Sequence, residues 1–316
     1  MYEDKSIGVV IPAYNEEKLI GCTIESVPDF VDKIVVVDDC SSDSTAEILA
    51  DHLAARRGKM VVLTHDVNQG VGGAIATGYK WCRDNDIAVA VVMAGDAQMD
   101  PKDMPALLEP VVSDEADYAK GNRLVSGEAY RIIPKTRYFG NAALSLLTKI
   151  ASGYWHIADS QTGYTAINKR ALHAINWDRM YKRYGQPNDL LVRLNVENMR
   201  VRDVPIRPVY NVGETSGIRI SRAIGTIGFL LVRLFLWRLK EKYIVRDFHP
   251  LVFFYGLGGF MFLINILFFF RLVARWANVG HVPEITFLIW LFSFSTGLMC
   301  LFFAMLFDME HTRMMQ

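Results

Sequence analysis

The chain has 316 residues, 34 basic and 34 acidic side chains, and 51% hydrophobic residues. That length holds one large domain or two ordinary ones, and a formal charge of +0 excludes a global drive toward nucleic acid, leaving any basic surface a local matter. The four cysteines, Cys22, Cys40, Cys82 and Cys300, stand far apart with no CxxC pair. Neither a zinc site nor a disulfide framework is suggested, so a reduced, cytosolic catalytic part is expected. The opening "MYEDKSIGVVIPAYNEE" reaches polar residues too soon for a secretory signal, and the chain is expected to start in the cytosol.

The first half alternates β-branched runs with amphipathic segments: "IGVVIPAY", "EEKLIGCTIESV", "KIVVVDD", "DSTAEILADHLAARR", "MVVLTHD", "GGAIATGYKWCRDN", "IAVAVVMAGD" and "DMPALLEPVV". Continuous apolar strands alternating with helices predict an α/β fold, a mostly parallel sheet shielded on both faces by its crossover helices. Ligands of such sheets bind at the carboxyl ends of the strands. Those ends read Tyr14-Asn15-Glu16, Asp38-Asp39, His65 to Asn68 and Gly95-Asp96, so the polar groups collect on one edge.

From Asp117 to Tyr210 the pattern loosens into "YAKGNR", "SQTGYTAINKRAL", a helix in "NDLLVRLNVENM" and a closing strand in "VRDVPIRPVY". Residues 1–217 are therefore expected to form the catalytic domain. Residues 218–249 mix Ile, Leu, Phe and Trp237 with Arg219, Arg222, Arg233, Arg238, Lys240, Lys242 and Arg246, the pattern of a helix lying on anionic headgroups, though an ordinary helix under the domain shares it. "LVFFYGLGGFMFLINILFFF" (251–270) and "ITFLIWLFSFSTGLMCLFFAMLF" (285–307) carry no charge and match a bilayer core of ~30 Å. A two-span hairpin over 250–307 is expected, with a short tail at 308–316. The basic flank puts the catalytic domain and tail on the cytoplasmic side of a multi-pass membrane protein.

Two carboxylates, Asp38 and Asp39, end the second strand and suit hydrogen bonds from the base and ribose of a nucleotide, whereas Ser41, Ser42 and Asp43 are explained by helix capping alone. "NQGVGGAIATG" is neither GxxxxGK[ST] nor GxGxxG, since Ile75 holds the third glycine place; close helix-to-sheet packing accounts for it better than a phosphate cradle. Asp96 and Gln98 stand two apart, where extended geometry points both side chains the same way. Such hard oxygen ligands suit Mg2+ or Mn2+ once a diphosphate completes the shell.

Taken together, "IPAYNEE", "VVDDCSSDST", "NQGVGGA", "GDAQMDP", "GNR", "SQTGY" and the C-terminal hairpin resemble the family 2 inverting glycosyltransferases of the GT-A fold, and among them the polyprenyl-phosphate glycosyltransferases of the dolichyl-phosphate mannose synthase kind. The resemblance implies that Pro12, Tyr14, Asn15, Glu16, Gly73 and Ala97 sit against the nucleotide-sugar. It implies that Asp38 and Asp39 hold base and ribose, and that Asp96 with Gln98 holds a Mg2+ or Mn2+ on the donor diphosphate. Arg123 and Arg137 match the arginines that hold the lipid phosphate. Asp189 lies where relatives with hydroxyl acceptors place a base, though it equally suits capping of the following helix.

Three departures stand out. Ala94 occupies the place of a further acid, thinning the metal site. "YNVGETSGIRI" lacks the family's late lysine, so Arg219 or Arg222 is expected to take over its phosphate contact. The hairpin has two spans where relatives have four or none. The activity expected is transfer of mannose from GDP-mannose to dolichyl or polyprenyl phosphate with inversion. UDP-glucose or UDP-N-acetylglucosamine as donor, a hydroxyl acceptor, and a non-catalytic nucleotide-sugar-binding scaffold are the alternatives.

Overall fold

A computed structural model describes residues 1–125, 135–209 and 220–315, with the side chains of 136, 137, 220–224 and 279 outside the description. Arg137, Arg219 and Arg222, expected at the acceptor phosphate, therefore lie outside the described side chains. The chain falls into two compact units, Met1–Phe235 with Met315–Gln316, and Leu236–Met314.

The apolar runs of the first half become strands because Val and Ile favour the pleated conformation and are covered on both faces. These are β1 (Ile7–Ala13), β2 (Lys33–Asp38), β3 (Met60–Thr64) and β4 (Val89–Val92), followed by β5 (Tyr118–Asn122), β6 (Thr165–Asn168) and β7 (Val201–Pro205). The sheet order is β3-β2-β1-β4-β6-β5-β7. All neighbours are parallel except β6, which runs antiparallel to both β4 and β5, so β5 points the same way as β4. This mixed sheet with mostly parallel strands is the GT-A arrangement.

Alternation along the strands sorts their side chains onto two core layers. Val10, Val35, Val37, Ala90 and Val92 face α3 (Val71–Asp84), α6 (Lys169–Ala174) and α7 (Gln186–Val196). Ile7, Val9, Ile11, Ile34, Val36, Val89 and Val91 face α1 (Ile20–Ser26), α2 (Thr45–Ala55) and α4 (Met104–Val112). α3 rides so low on β1 that a Cβ at Gly78 would overlap the Val10 side chain, the close helix-to-sheet approach expected of the glycine-rich stretch.

Register creates the site. β4 stops at Val92, level with Val10, whereas β1 continues to Ala13 against β2 up to Asp38. The chain after β4 therefore crosses over a step in the sheet edge. Beyond β5 lies α5 (Lys135–Ser152), and β7 leads toward α8 (Ile220–Lys240).

In the second unit a π-helical turn, Glu241–Arg246, precedes α9 (Leu251–Val279) and α10 (Glu284–Thr312). Both helices are long and apolar enough to cross a membrane. Each outruns its uncharged stretch, α9 continuing over Arg271 and Arg275, whose unbranched side chains tolerate helix. Gly297 lets α10 approach α9 until a Cβ there would lie 3.2 Å from Met261 Cβ, and Asn265 Nδ2 donates to the Trp290 carbonyl at 2.8 Å. At one end Arg238 holds Asp308 through two 2.9 Å hydrogen bonds, Tyr243 Oη donates to the same carboxylate at 2.6 Å, and the rings of His249 and His311 stand 5.2 Å apart. The entry to the first long helix and the exit of the second thus lie at one level.

Candidate active site on the carboxyl edge of the sheet

After β1 the chain turns sharply at Asn15, whose φ of 55° is left-handed. Asn15 Oδ1 accepts from Ser42 N at 2.8 Å, Asn15 N donates to Ser41 Oγ at 3.0 Å, and Glu16 N donates to Thr45 Oγ1 at 2.9 Å. The "AYNEE" and "DDCSSDST" loops are thereby stitched into one wall. Pro12 lies in β1 beyond the β4 ladder, and Tyr14 is exposed above it.

The adjacent acids do different work. Asp38 accepts from Ser41 N at 3.0 Å and from Ser41 Oγ. Asp39 accepts from Gln69 N at 2.8 Å and Gly70 N at 2.6 Å and lies 2.7 Å from His65 Nδ1, whose Nε2 meets Thr77 Oγ1 at 2.8 Å. The His65 ring thus bridges the Asp39 carboxylate and the Thr77 hydroxyl. This Asp39-His65-Thr77 chain pins the β3–α3 loop; the sequence placed His65 on the polar edge without a role and did not single out Thr77.

Gly73, expected near the donor, donates its N–H to Gly70 O at 2.8 Å and Lys182 O at 3.2 Å, and Gly72 N also donates to Lys182 O at 3.0 Å. The amides at the start of α3 are occupied by backbone, and a Cβ at Gly70 would fall 2.6 Å from the Lys182 carbonyl. The glycines thus seat residues 181–183 against the helix.

Asp96 follows β4 by four residues and is not in strand geometry: Ala97 has φ 55° and Gln98 N folds back onto Asp96 Oδ1 at 3.1 Å. The expected extended alternation gives way to a side-chain-closed turn, which Asp followed by a small residue favours. Thr23 Oγ1 fixes the turn from below by donating to Gly95 O at 3.1 Å, and a Cβ on Gly95 would meet Pro12 O at 3.2 Å and Glu16 Cγ at 3.6 Å. Glu16 therefore lies beside Asp96. Burial, then the Asp96 and Asp43 carboxylates, push its pKa to about 7. Gln98 Nε2 is buried without an acceptor. Two crowded carboxylates fit a divalent cation, and the unmet Gln98 N–H fits a donor phosphate oxygen, although no group of three or more acid, His or Cys ligands occurs among the described residues.

Past the end of β5, two strands from β4 across the antiparallel β6, Arg123 is anchored by Asp159, a fully buried carboxylate. Asp159 accepts from Arg123 Nε at 2.8 Å, Nη2 at 3.2 Å and backbone N at 3.2 Å. Burial acts to raise the Asp159 pKa, but Arg123 and Lys120 outweigh it and hold the carboxyl below its usual range. Lys120, wholly buried, donates to Thr162 O, and burial lowers its pKa to about 8. Asp203 accepts from Asn122 Nδ2 and Ala158 N, and burial raises its pKa to about 6. Asp159, Lys120 and Asp203 escaped the sequence reading, although a lysine in the middle of the strand "DYAKGNR" was a visible signal.

Asp189, in the first turn of α7, accepts from Tyr181 N at 2.7 Å and from Arg193 Nε at 2.9 Å. Burial raises its pKa, against the pull of Arg193 and the Tyr181 amide. Its carboxylate is buried and faces its own helix and the 181 loop.

Residues 8–175 match glycosyl transferase family 2. The chain belongs to that family and is a glycosyltransferase. It is 31% identical over 254 residues to the UDP-N-acetylglucosamine--dolichyl-phosphate N-acetylglucosaminyltransferase of Methanococcus voltae, covering 75% of this chain and 98% of that one. It is 32% identical over 238 residues to the undecaprenyl-phosphate mannosyltransferase of Micrococcus luteus, covering 74% and 94%. Among solved structures, glucosyl-3-phosphoglycerate synthase of Mycobacterium tuberculosis with Mn2+, UDP and glucosyl-3-phosphoglycerate superposes with a TM-score of 0.52 at 20% identity, over 74% of this chain and 80% of that one, a likeness of fold.

Proposed function

We propose that this glycosyltransferase moves a hexose from a nucleotide-sugar to a polyprenyl or dolichyl phosphate at a membrane surface, with inversion. The observation that carries the reading is the pairing on one sheet edge of an acidic donor corner, Glu16 with Asp96 and Gln98, and a clamped arginine, Arg123, in a chain that continues into two apolar helices. Relatives named for N-acetylglucosamine and for mannose transfer to lipid phosphates support the acceptor class equally and leave GDP-mannose and the UDP-sugars as donors to be compared.

The acceptor is a phosphate monoester, ionised near neutral pH because its second pKa is about 6. One of its oxygens attacks the anomeric carbon while the bond from that carbon to the donor diphosphate breaks. Such a nucleophile needs no base, consistent with Asp189 being held by Arg193 and Tyr181. Arg123 orients the acceptor anion, and Asp159 fixes the guanidinium plane. Asp96 and Gln98, with Glu16, would hold Mg2+ or Mn2+, which neutralises charge on the departing diphosphate. Asp38, Asn15 and Tyr14 line the nucleotide side. The catalytic unit lies on the cytoplasmic face, with Leu251–Asn278 and Glu284–Met315 crossing the bilayer.

Full-length protein in vesicles, supplied with polyprenyl phosphate and labelled GDP-mannose, UDP-glucose or UDP-N-acetylglucosamine in turn, tests this. One donor is expected to yield a solvent-extractable glycolipid labile to mild acid. Transfer to a lipid hydroxyl instead, or turnover lost completely in Asp189→Asn with donor binding intact, would overturn the phosphate-acceptor reading.

A further inference from the structure

One face of the β5–β7 pair changes character toward its carboxyl end. Tyr118 and Val201 stand opposite each other in the parallel ladder and belong to the apolar layer that faces α3, α6 and α7. Two residues further along each strand, side-chain alternation returns to the same face with Lys120 opposite Asp203, and then with Asn122. Buried ionic groups stabilise little over apolar residues of equal volume, so stability alone does not account for a lysine and an aspartate where Val or Leu would continue the layer. The polar stretch ends on the turn that carries Arg123.

Asp203 joins the two halves of the Arg123 clamp. Its Oδ2 accepts from Asn122 Nδ2 and, at 2.8 Å, from Ala158 N. Asn122 Oδ1 in turn accepts from Leu124 N at 2.9 Å, which closes the turn around Arg123. Ala158 immediately precedes Asp159, the carboxylate that holds the guanidinium. One oxygen atom therefore gathers two segments, 81 and 45 residues away in sequence, that carry the cation and its counter-charge respectively. Lys120 secures the far side of the second segment by donating to Thr162 O. Asp203 Oδ1 is buried and has no hydrogen-bond partner among the described residues, so a single oxygen makes the whole connection.

We propose that Asp203 is a positioning residue for the acceptor: by holding the Asn122 turn and the Ala158–Asp159 segment to one point, it sets where the Arg123 guanidinium stands. The proposal rests on the reading of Arg123 as the group that binds the acceptor phosphate, and Asp203 acts through that group rather than on the reacting atoms. A guanidinium meets a phosphate through directed N–H groups, so a displacement of about 1 Å or a tilt of its plane weakens acceptor binding. The donor corner at Glu16, Asp96 and Gln98 follows β4, on the other side of β6, and is left as it was.

The test is steady-state transfer by the full-length protein in vesicles, varying polyprenyl phosphate and then whichever of GDP-mannose, UDP-glucose and UDP-N-acetylglucosamine supports transfer. Asp203→Ala is expected to raise KM for polyprenyl phosphate about 30-fold and to leave donor KM within about twofold. Asp203→Asn, whose amide oxygen accepts the same two N–H groups while its NH2 takes the place of Oδ1, is expected to keep both within about threefold. Because both residues act through one guanidinium, adding Asp203→Ala to Asp159→Asn is expected to lower kcat/KM little beyond Asp159→Asn alone. Asn122→Ser cuts the tie from its other end with Asp203 in place; it is expected to show the same split and carries the test if Asp203→Ala does not fold. Donor KM rising as much as acceptor KM, losses that multiply in the double variant, or an Asn variant as impaired as the Ala one would overturn the proposal. Arg123→Gln separates the two readings. A raised acceptor KM there, with an unchanged one in Asp203→Ala and Asn122→Ser, overturns this proposal alone; an unchanged acceptor KM in Arg123→Gln overturns the acceptor role of Arg123 and this proposal with it.

Discussion

Replacing Asp159 by Asn probes the acceptor side most directly. The carboxylate receives N–H groups from the Arg123 backbone, Arg123 Nε, Arg123 Nη2 and Gln161 N. An amide keeps one acceptor oxygen but turns an NH2 toward a group that is itself a donor, so at least one contact becomes donor against donor. Removing one partner of a buried pair costs about 3–5 kcal/mol. Arg123 retains 23% of its side-chain exposure, so water recovers part of the loss. The expected destabilisation is ~2–3 kcal/mol, a melting temperature lower by roughly 5–10 °C for a unit of this size. With the guanidinium plane released, kcat/KM for polyprenyl phosphate is expected to fall about 100-fold while KM for the donor stays unchanged. Differential scanning of the full chain in detergent gives the first quantity and steady-state transfer the second, with Asp159→Glu recovering part of both by restoring the charge. Unchanged kcat/KM in the folded fraction of the Asn variant, or a loss confined to donor KM, would refute the role given to Arg123.

On the donor side, Asp96→Ala is expected to abolish transfer, whereas Glu16→Gln relieves the crowding with Asp96 and weakens divalent-ion binding in the presence of donor, as titration calorimetry with Mn2+ and nucleoside diphosphate would measure. Asp203, its pKa raised to about 6 in the fold, binds its proton more tightly folded than unfolded. Its stabilising effect is full below about pH 4 and is lost as pH rises through 6, by about 3 kcal/mol, and Asp203→Asn should flatten denaturant midpoints across that window. In the second unit, Asp308→Asn strands the buried Arg238 guanidinium and should lower stability in detergent by about 3–5 kcal/mol, whereas Arg238→Met with Asp308→Leu recovers most of it.

The strand-helix alternation of the first half was readable because parallel strands covered on both faces are plain apolar runs, and their polar ends could be placed on one edge without knowing the strand order. The insertion of β6 between β4 and β5 was not readable, since antiparallel pairing across an excursion of more than forty residues leaves no local period. At the site, Asp96 was visible as a polar break after a strand, and Arg123 only through the family resemblance. The partners that give them their chemistry were not: Asp159 lies 36 residues from Arg123, and Glu16 meets Asp96 only because Gly95 lets the turn settle onto the β1 loop. The left-handed turn at Ala97 is local, imposed by Gln98 N closing onto Asp96, where the two-residue spacing had been read as extended.

The ion pair that closes the hairpin also orders events in time. Arg238 and Asp308 are separated by 70 residues. At a synthesis rate of about 5–20 residues per second, Arg238 waits roughly 4–14 s after leaving the ribosome before its carboxylate exists. Throughout that interval both apolar helices must be made and folded back on one another. The clasp is therefore a final latch: it closes only once the second long helix has been completed and laid against the first.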